Sequence, residues 1–394
     1  DNMNVAGSAT AAGSAALIDS TASYDAACIR RLRRAGAVLL GRTGMSELAL
    51  SCGRMGYSAV SGTVRNPRAP DRDPSGSSSG SAAAVAAGYV PFALGSDTVG
   101  SIRGPASVNG VVGLRPTTGL VDVAGVVPLS STLDTVGPLA RSARDAALVL
   151  AALCEKTRPD VLALCERLVR STTSATTEDL RVVAVEFPEG GLDPEVEIAY
   201  ADVLARLRRR GILVKSISAS DIGFPNHEFL EPLVRCEFGP ALERFLDGQS
   251  AGPTTLDEVV ARSVEDGRIA PGRLEALQDA RALMSAPLDL TGVLRRARVL
   301  AENVDDVFRA LDCAALVFPT LTRLPGPPWD AARQAGSTNA DAYELCYLAS
   351  AIGFPEISVP SHEDPRRCPV GISFMAKPLQ EDVLIRLATM IEPT

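Results

Sequence analysis

The sequence is poor in the side chains that most often serve as bases. Of its 39 basic residues only three are lysines, Lys156, Lys215 and Lys377, and its two histidines are His227 and His362. Residues 1–155 contain no lysine and no histidine, so a hydroxyl or thiol in that stretch has no neighbouring base in sequence to activate it. Positive charge is also in deficit. The net charge of −8 argues against a nucleic-acid surface, which requires a basic face. Arg30-Arg31-Arg33-Arg34 and Arg208-Arg209-Arg210 lie at the ends of helix-like stretches and read as solvated helix faces. Aromatic residues make up only 4%, which leaves Ala, Val, Leu and Ile to build the core. The eight cysteines stand singly, without C-x-x-C or Cys/His ligand spacing, which removes support for a zinc site. They read as reduced, mostly buried thiols. No apolar run is long enough for a bilayer: the longest, Ala82 to Leu94, is interrupted by Gly88 and Pro91. No signal peptide is visible at the start, and the expectation is a soluble, cytoplasmic protein with no membrane and no direct nucleic-acid partner.

What is present is ordinary globular composition, 46% hydrophobic and 22% charged, over a length that suits one large domain or two ordinary ones. Asp25 to Ala35 carries apolar residues at helical spacing and is followed by Gly36, a helix stop. Ala37 to Leu40 reads as a buried strand closed by Gly41. Residues 53–80 form a long Gly/Ser/Pro/Arg-rich loop of the kind that is functional or disordered. A small-residue helix is expected over Ser81 to Ala87, strands over Val90 to Gly95, Val108 to Leu114 and Gly119 to Val127, and a helix over Ser142 to Cys154. Residues 155–300 are charged and helical in period, with Val182 to Glu186 and Ile212 to Ser216 as strands around a helix at 193–210. Ala314 to Pro319, Glu356 to Val359 and Val370 to Met375 read as strands, with helices at 340–352 and from 380. A Pro-rich loop is expected to run from Pro319 through Trp329. This succession predicts an α/β architecture with a central mixed sheet.

Two tracts carry chemistry: Asp73-Pro-Ser-Gly-Ser-Ser-Ser-Gly-Ser81 and Gly95-Ser-Asp-Thr-Val-Gly-Ser-Ile-Arg-Gly-Pro105, with Ser101 lying 24 positions after Ser77. Glycine lets a backbone approach a ligand, and consecutive N–H groups in such turns form anion-binding nests. Acyl transfer needs both a serine nucleophile and N–H donors aimed at the developing oxyanion. Each tract alone is weak evidence, since a Ser-rich surface loop capping a helix has the same composition. Gly76-Ser-Ser-Ser-Gly80 also matches a G-x-S-x-G nucleophile elbow, with Ser78 served by His227 or His362. The elbow follows a strand directly, whereas Arg65 to Asp73 are polar and proline-containing. A phosphate loop fails for want of a following G-K-[ST].

Together the tracts resemble the amidase signature family, serine hydrolases that include fatty-acid amide hydrolases, bacterial amidases, allophanate hydrolases and the A subunit of tRNA-dependent amidotransferases. The likeness continues through Gly41-Arg-Thr-Gly-Met-Ser-Glu47, Val111-Val-Gly-Leu-Arg-Pro-Thr117, Gly125-Val-Val-Pro-Leu129, Leu133-Asp-Thr-Val-Gly-Pro138, Gly353-Phe-Pro-Glu-Ile-Ser-Val-Pro360 and Pro369-Val-Gly-Ile372. It covers nearly the whole of residues 1–394 and is weakest over 155–310, the stretch expected to shape the substrate pocket. The resemblance implies a single amidase signature domain, a central mixed β-sheet surrounded by helices, and a Ser–cis-Ser–Lys triad. Carried over by position, Ser101 is the nucleophile and Ser77 the bridging serine after a cis bond from Gly76. The N–H groups of Thr98, Val99, Gly100 and Ser101 form the oxyanion hole, and Ser51 contacts substrate. Arg103, Asp97 and Asp134 are expected to hold the loops in place. A small-molecule amide is the implied substrate, no metal or organic cofactor is required, and a homodimer is a reasonable assembly.

The sequence departs from the family in four glycine or apolar positions. Val99, Ser75 and Ser79 replace glycines, and Gly104 stands where the family has an apolar residue. The family's third triad member is a lysine directly before an Asp-Asn pair, and the sequence opens on Asp1-Asn2. The matching position is therefore immediately upstream of Asp1, and the 394 residues are expected to be inactive or nearly so by themselves, as an N-terminally truncated copy of an active amidase. The alternatives are a glutamine amidohydrolase subunit of a tRNA-dependent amidotransferase, a hydrolase of another triad class using Ser78, and a binding protein that retains the pocket without turnover.

Overall fold

Alternate residues of the strand Arg181–Glu186 face two different apolar layers, which is what a run of Val and Ala buried on both faces of a sheet predicts. Val182 and Ala184 pack with the helices Ala143–Leu153, Pro159–Ser171, Pro194–Arg209 and Glu381–Ile391, whereas Val183 and Val185 pack with Thr291–Leu311 and Glu344–Ile352. The computed structural model describes residues 1–50, 55–155, 157–172, 180–328, 342–362, 364 and 367–392.

A short antiparallel hairpin, β1 (Tyr57–Ser58) and β2 (Gly62–Thr63), lies within the long loop. The main sheet is built from β3 (Phe92–Asp97), β4 (Val112–Arg115), β5 (Thr135–Ala140), β6 (Arg181–Glu186), β7 (Leu213–Ser218), β8 (Ala315–Pro319), β9 (Glu356–Pro360) and β10 (Gly371–Met375), in the order β3-β5-β4-β9-β10-β8-β6-β7. Pairings are antiparallel from β3 through β8 and parallel between β8, β6 and β7, so the sheet is mixed. Helix Pro194–Arg209 makes the crossover between the parallel strands β6 and β7, as the apolar runs at 182–186 and 212–216 imply. The fold is thus an α/β arrangement with a central eight-stranded mixed sheet surrounded by helices.

The structure corrects three expected strands. Ala37 to Leu40 is irregular backbone that joins no sheet among the described residues, and Val38 and Leu40 are 80% and 73% exposed. Its apolar side chains line an open trough of about 560 Å³ instead of a core, along with Leu32, Tyr89 and Phe92. Val108 to Leu114 begins as the end of helix Arg103–Asn109, which stops at Gly110 in the left-handed region (φ 68°), and only Val112 onward is strand. Gly119 to Val127 is turn and irregular backbone, held to the chain start by Asn4 N–H to Gly125 O (2.8 Å) and Val127 N–H to Asn2 O (2.8 Å). The strand β5 was not expected, because Gly137 and Pro138 both weaken a strand reading. Gly137 is required there: a Cβ would strike the Leu114 carbonyl of β4.

Candidate active site

The loop 73–78 is held by its own backbone and by neighbours on every side. Asp73 accepts from Ser75 N–H at 2.6 Å, Asn109 Nδ2 donates to Pro74 O at 3.0 Å, and Ser79 Oγ donates to Ser75 O at 2.5 Å. Ser46 N–H donates to Ser77 O at 3.0 Å. The Gly76–Ser77 peptide bond is cis, as the resemblance implies. Helix Ser79–Ala86 starts directly after Ser78, and Gly80 lets the helix press on the 41–47 segment, its N–H donating to Gly44 O at 2.9 Å where any Cβ would clash. Ser77 is 1% exposed, and its Oγ has no hydrogen-bond partner among the described residues. Burial of a hydroxyl without a partner is costly, and such groups mark chemistry or a missing neighbour.

The loop 97–103 is organised by charge. Asp97 accepts from Gly100 N–H (2.9 Å), Ile102 N–H (3.0 Å), Arg103 Nε (3.1 Å) and Nη2 (3.0 Å), and Arg115 Nη1 (2.9 Å). Arg103 Nη1 also donates to Glu356 at 2.6 Å and to Cys346 O at 2.8 Å, and its Nη2 to Ser350 Oγ at 2.9 Å. Asp97 and both of its arginine partners are fully buried, as is Glu356. Burial alone would raise the Asp97 carboxyl, but the two guanidinium groups hold it well below the usual carboxylate range. Burial dominates at Glu356 and pushes its carboxyl up despite Arg103. Asp134 accepts from Thr98 Oγ1 (2.5 Å) and from the N–H groups of Leu129 (2.8 Å) and Ser130 (3.0 Å), and burial raises it to about 6. Arg103, Asp97 and Asp134 therefore fasten the loop at both ends, and Arg115, on β4, is a fourth member that motif reading did not single out.

The two serine loops meet. Ser78 N–H donates to Ser101 O at 3.2 Å, while Ser78 Oγ donates to Ser96 O at 3.2 Å. Ser101 is 9% exposed, and Gly100 adopts a φ of 117° open to glycine alone. Of the four expected oxyanion donors, the Gly100 N–H is already committed to the Asp97 carboxylate, which is a correction. The N–H groups of Thr98, Val99 and Ser101 make no hydrogen bond to a described residue. Val99 packs against an apolar cluster that includes Leu133, Phe229, Leu230, Leu233 and Tyr347.

The start of the chain lies beside these loops. The Asp1 amine donates to Thr43 O at 3.3 Å, and Asn2 Nδ2 donates to Ser96 Oγ at 2.9 Å, on the residue whose carbonyl binds Ser78. Asp1 and Ser78 both line the trough. The rival elbow is not assembled: His227 is exposed, with its ring 6.3 Å from that of Tyr347, and neither ring nitrogen of His362 has a hydrogen-bond partner among the described residues, while Ser78 Oγ donates to Ser96 O. Lys215 donates to Leu311 O at 2.6 Å and Lys377 pairs with Asp305 at 2.8 Å, both away from the serines. Ser51, Lys156 and the end of the Pro-rich loop at Trp329 lie outside the described residues. Among the described residues no group of three or more His, Cys, Asp or Glu could hold a metal ion, and no helix is long and apolar enough to cross a membrane.

Among the described residues, two serine loops dock on each other and bring together a buried hydroxyl without a partner and uncommitted backbone N–H groups, the parts that acyl transfer requires. The chain belongs to the amidase family, whose model matches residues 1–385, and its chemistry is that of a hydrolase of carboxylic amide C–N bonds. It is 34% identical over 410 residues to the A subunit of the glutamyl-tRNA(Gln) amidotransferase of Koribacter versatilis, an alignment covering 100% of this chain and 82% of that protein. Among solved structures it is similar to the peptide amidase of Stenotrophomonas maltophilia, with a TM-score of 0.80 and 32% identity over 99% of this chain and 80% of that one. It is also similar to an amidase family protein from Bacillus anthracis, with a TM-score of 0.82 and 27% identity over 99% and 75% of the two chains.

Proposed function

We propose that Ser101 is the nucleophile and Ser77 the proton carrier of an amidase that works through a seryl acyl-enzyme. Ser101 Oγ attacks the amide carbonyl carbon while its proton passes to Ser77. The N–H groups of Thr98, Val99 and Ser101 receive the oxyanion. Ser77 returns the proton to the leaving nitrogen, the C–N bond breaks, and water then cleaves the ester by the reverse relay. The proton acceptor behind Ser77 is the lysine that the family resemblance assigns to the position before Asp1. Burial beside the trough would keep such an amine neutral. The observation that carries the reading is the buried Ser77 hydroxyl, without a partner among the described residues, in a loop bonded to Ser101 and lining, through Ser78, the same trough as Asp1. From the stretch 155–310, Phe229, Leu230 and Leu233 belong to the apolar cluster on which Val99 packs, which favours an apolar acyl or amine group.

The test compares residues 1–394 with the same chain extended by a lysine-bearing segment ahead of Asp1, on a panel of acyl amides. Turnover in the extended protein that is absent from the shorter one and lost in Ser101→Ala supports the reading. Equal turnover in both, or turnover retained in Ser101→Ala, overturns it.

A second reading is favoured by the Koribacter relative and by amidotransferase relatives of the same kind in two Deinococcus species. In it the chain releases ammonia from glutamine as one member of a larger assembly. Glutaminase activity together with stable co-purification of further chains distinguishes it from a free-standing amidase.

A further inference from the structure

Tyr343 touches both serine loops at once. Its hydroxyl hydrogen-bonds Ser75 Oγ, accepts from Gly76 N–H at 3.3 Å and donates to Gly76 O at 3.2 Å. It therefore grips both peptide groups of the residue that precedes Ser77. The ring of the same side chain lies against the other loop: a Cβ at Gly100 would come within 2.7 Å of Tyr343 Cδ1, and one at Gly104 would collide with the hydroxyl and the ring edge. Tyr343 is 5% exposed, and burial pushes its phenol far above the usual range, so it stays a neutral hydroxyl.

Two local departures from the family pattern meet at this side chain. Gly104, where an apolar side chain is usual, makes room for the ring. Ser75, in place of a glycine, supplies the hydroxyl that meets the phenol. It does so from the left-handed region (φ 61°), a conformation unfavourable for a non-glycine residue that persists only when neighbours enforce it. Asp73 fixes the Ser75 N–H and Ser79 fixes the Ser75 carbonyl, completing the clamp.

We propose that Tyr343 is a positioning residue for amide hydrolysis, setting the distance and angle of Ser77 relative to Ser101 by bridging Gly76 to Gly100. It touches no reacting atom. The proposal rests on the assignment of Ser101 and Ser77 above. Misplacing reacting groups by about 1 Å costs on the order of 100-fold in rate, whereas binding of the substrate body is left alone.

Tyr343→Phe keeps the ring and removes the grip. In an amide-hydrolysing form of the protein, assayed with acyl p-nitroanilides, kcat is expected to fall about 10- to 100-fold with KM within about threefold. Ser75→Gly, which relieves the positive φ while deleting the partner hydroxyl, is expected to give a smaller kcat loss. The double variant should be no worse than Tyr343→Phe alone, because both remove one linkage. Amide hydrogen exchange in residues 1–394 gives a readout independent of turnover: Gly76 and Ser78 should exchange faster in Tyr343→Phe while the strands β9 and β10 are unchanged. Wild-type kcat with unaltered exchange at Gly76 and Ser78 overturns the proposal. If Tyr343→Phe fails to fold, Ser75→Gly decides by the same two readouts. Activity that survives Ser101→Ala would instead refute the underlying assignment, and the exchange measurement would still test the clamp.

Discussion

The backbone N–H of Ser78 donates to the carbonyl oxygen of Ser101 across 3.2 Å. This bond joins the second serine loop to the first next to the two hydroxyls that acyl transfer requires, and it is made by main-chain atoms that side-chain substitution leaves in place. Function at this site can therefore be dissected without dismantling it.

Ser77→Ala separates stability from activity. The hydroxyl removed is buried and unpartnered among the described residues, so its loss is expected to leave unfolding free energy unchanged or raised by up to about 1 kcal/mol. Turnover of an amide substrate should drop by at least about 100-fold, because the proton relay is cut. Urea unfolding of residues 1–394 checks the first half, and a steady-state assay of the same substitution in the lysine-extended protein checks the second. A destabilised but active variant contradicts the account.

Asp97→Ala should be among the most damaging single substitutions. It leaves two fully buried guanidinium groups facing each other without their shared carboxylate, and removing one partner of a buried ion pair costs about 3–5 kcal/mol. The substitution also frees the N–H groups of Gly100 and Ile102. A midpoint in urea within error of wild type would show that the network is not what holds this loop.

Asp73 makes stability depend on pH in a defined direction. Burial raises its carboxyl from 3.8 to about 7, partly offset by the Ser75 N–H. The native state therefore holds a proton that the unfolded chain releases, and stability falls as pH rises from about 4 to about 7, then levels. The slope from this group is at most about 1.4 kcal/mol per pH unit. Asp73→Asn mimics the neutral acid and should remove that component. The comparison is made by unfolding both proteins at closely spaced pH values, and parallel curves would exclude the effect.

The trough beside Val38 and Leu40 is expected to promote self-association. Val38, Leu40 and Tyr89 are exposed next to β3, which pairs on one side only and lies at the sheet edge. An apolar surface beside a free strand edge attracts other chains. Leu40→Asp is expected to raise the concentration at which light scattering appears, with little change in unfolding midpoint because the residue is 73% exposed. Unchanged scattering would show that this surface does not drive self-association.

The serine loops were legible because their chemistry is written in short consecutive words, where glycine and serine spacing states what the backbone must do. The β6–helix–β7 unit was legible for the same local reason, an apolar run on each side of an amphipathic helix. Ala37 to Leu40 misled because apolarity reports a preference for burial, not the presence of something to bury against. β5 was hidden by Gly137 and Pro138, whose use depends on the Leu114 carbonyl of another strand. Tyr343 and Arg115 were missed because their roles depend on residues distant in sequence: Tyr343 lies 267 residues from Gly76, and Arg115 reaches back 18 residues to Asp97. The one signal for Tyr343 was Gly104, an unexplained gap in a word otherwise intact.

The order of the sheet has a consequence for how such a protein diversifies. β3, whose end leads into Ser101, stands at one edge, while β6 and β7 stand at the other, separated from it by β5, β4, β9, β10 and β8. The main-chain bonds that hold Ser77 against Ser101 involve none of the residues between 181 and 311. The crossover helix Pro194–Arg209 and the loops at that far edge can lengthen, tilt or be exchanged while the reactive geometry stays fixed, whereas Phe229, Leu230 and Leu233 pack on Val99 itself. Variation at that edge would thus be carried on an unaltered engine, and the sheet acts as the firebreak between inheritance and invention.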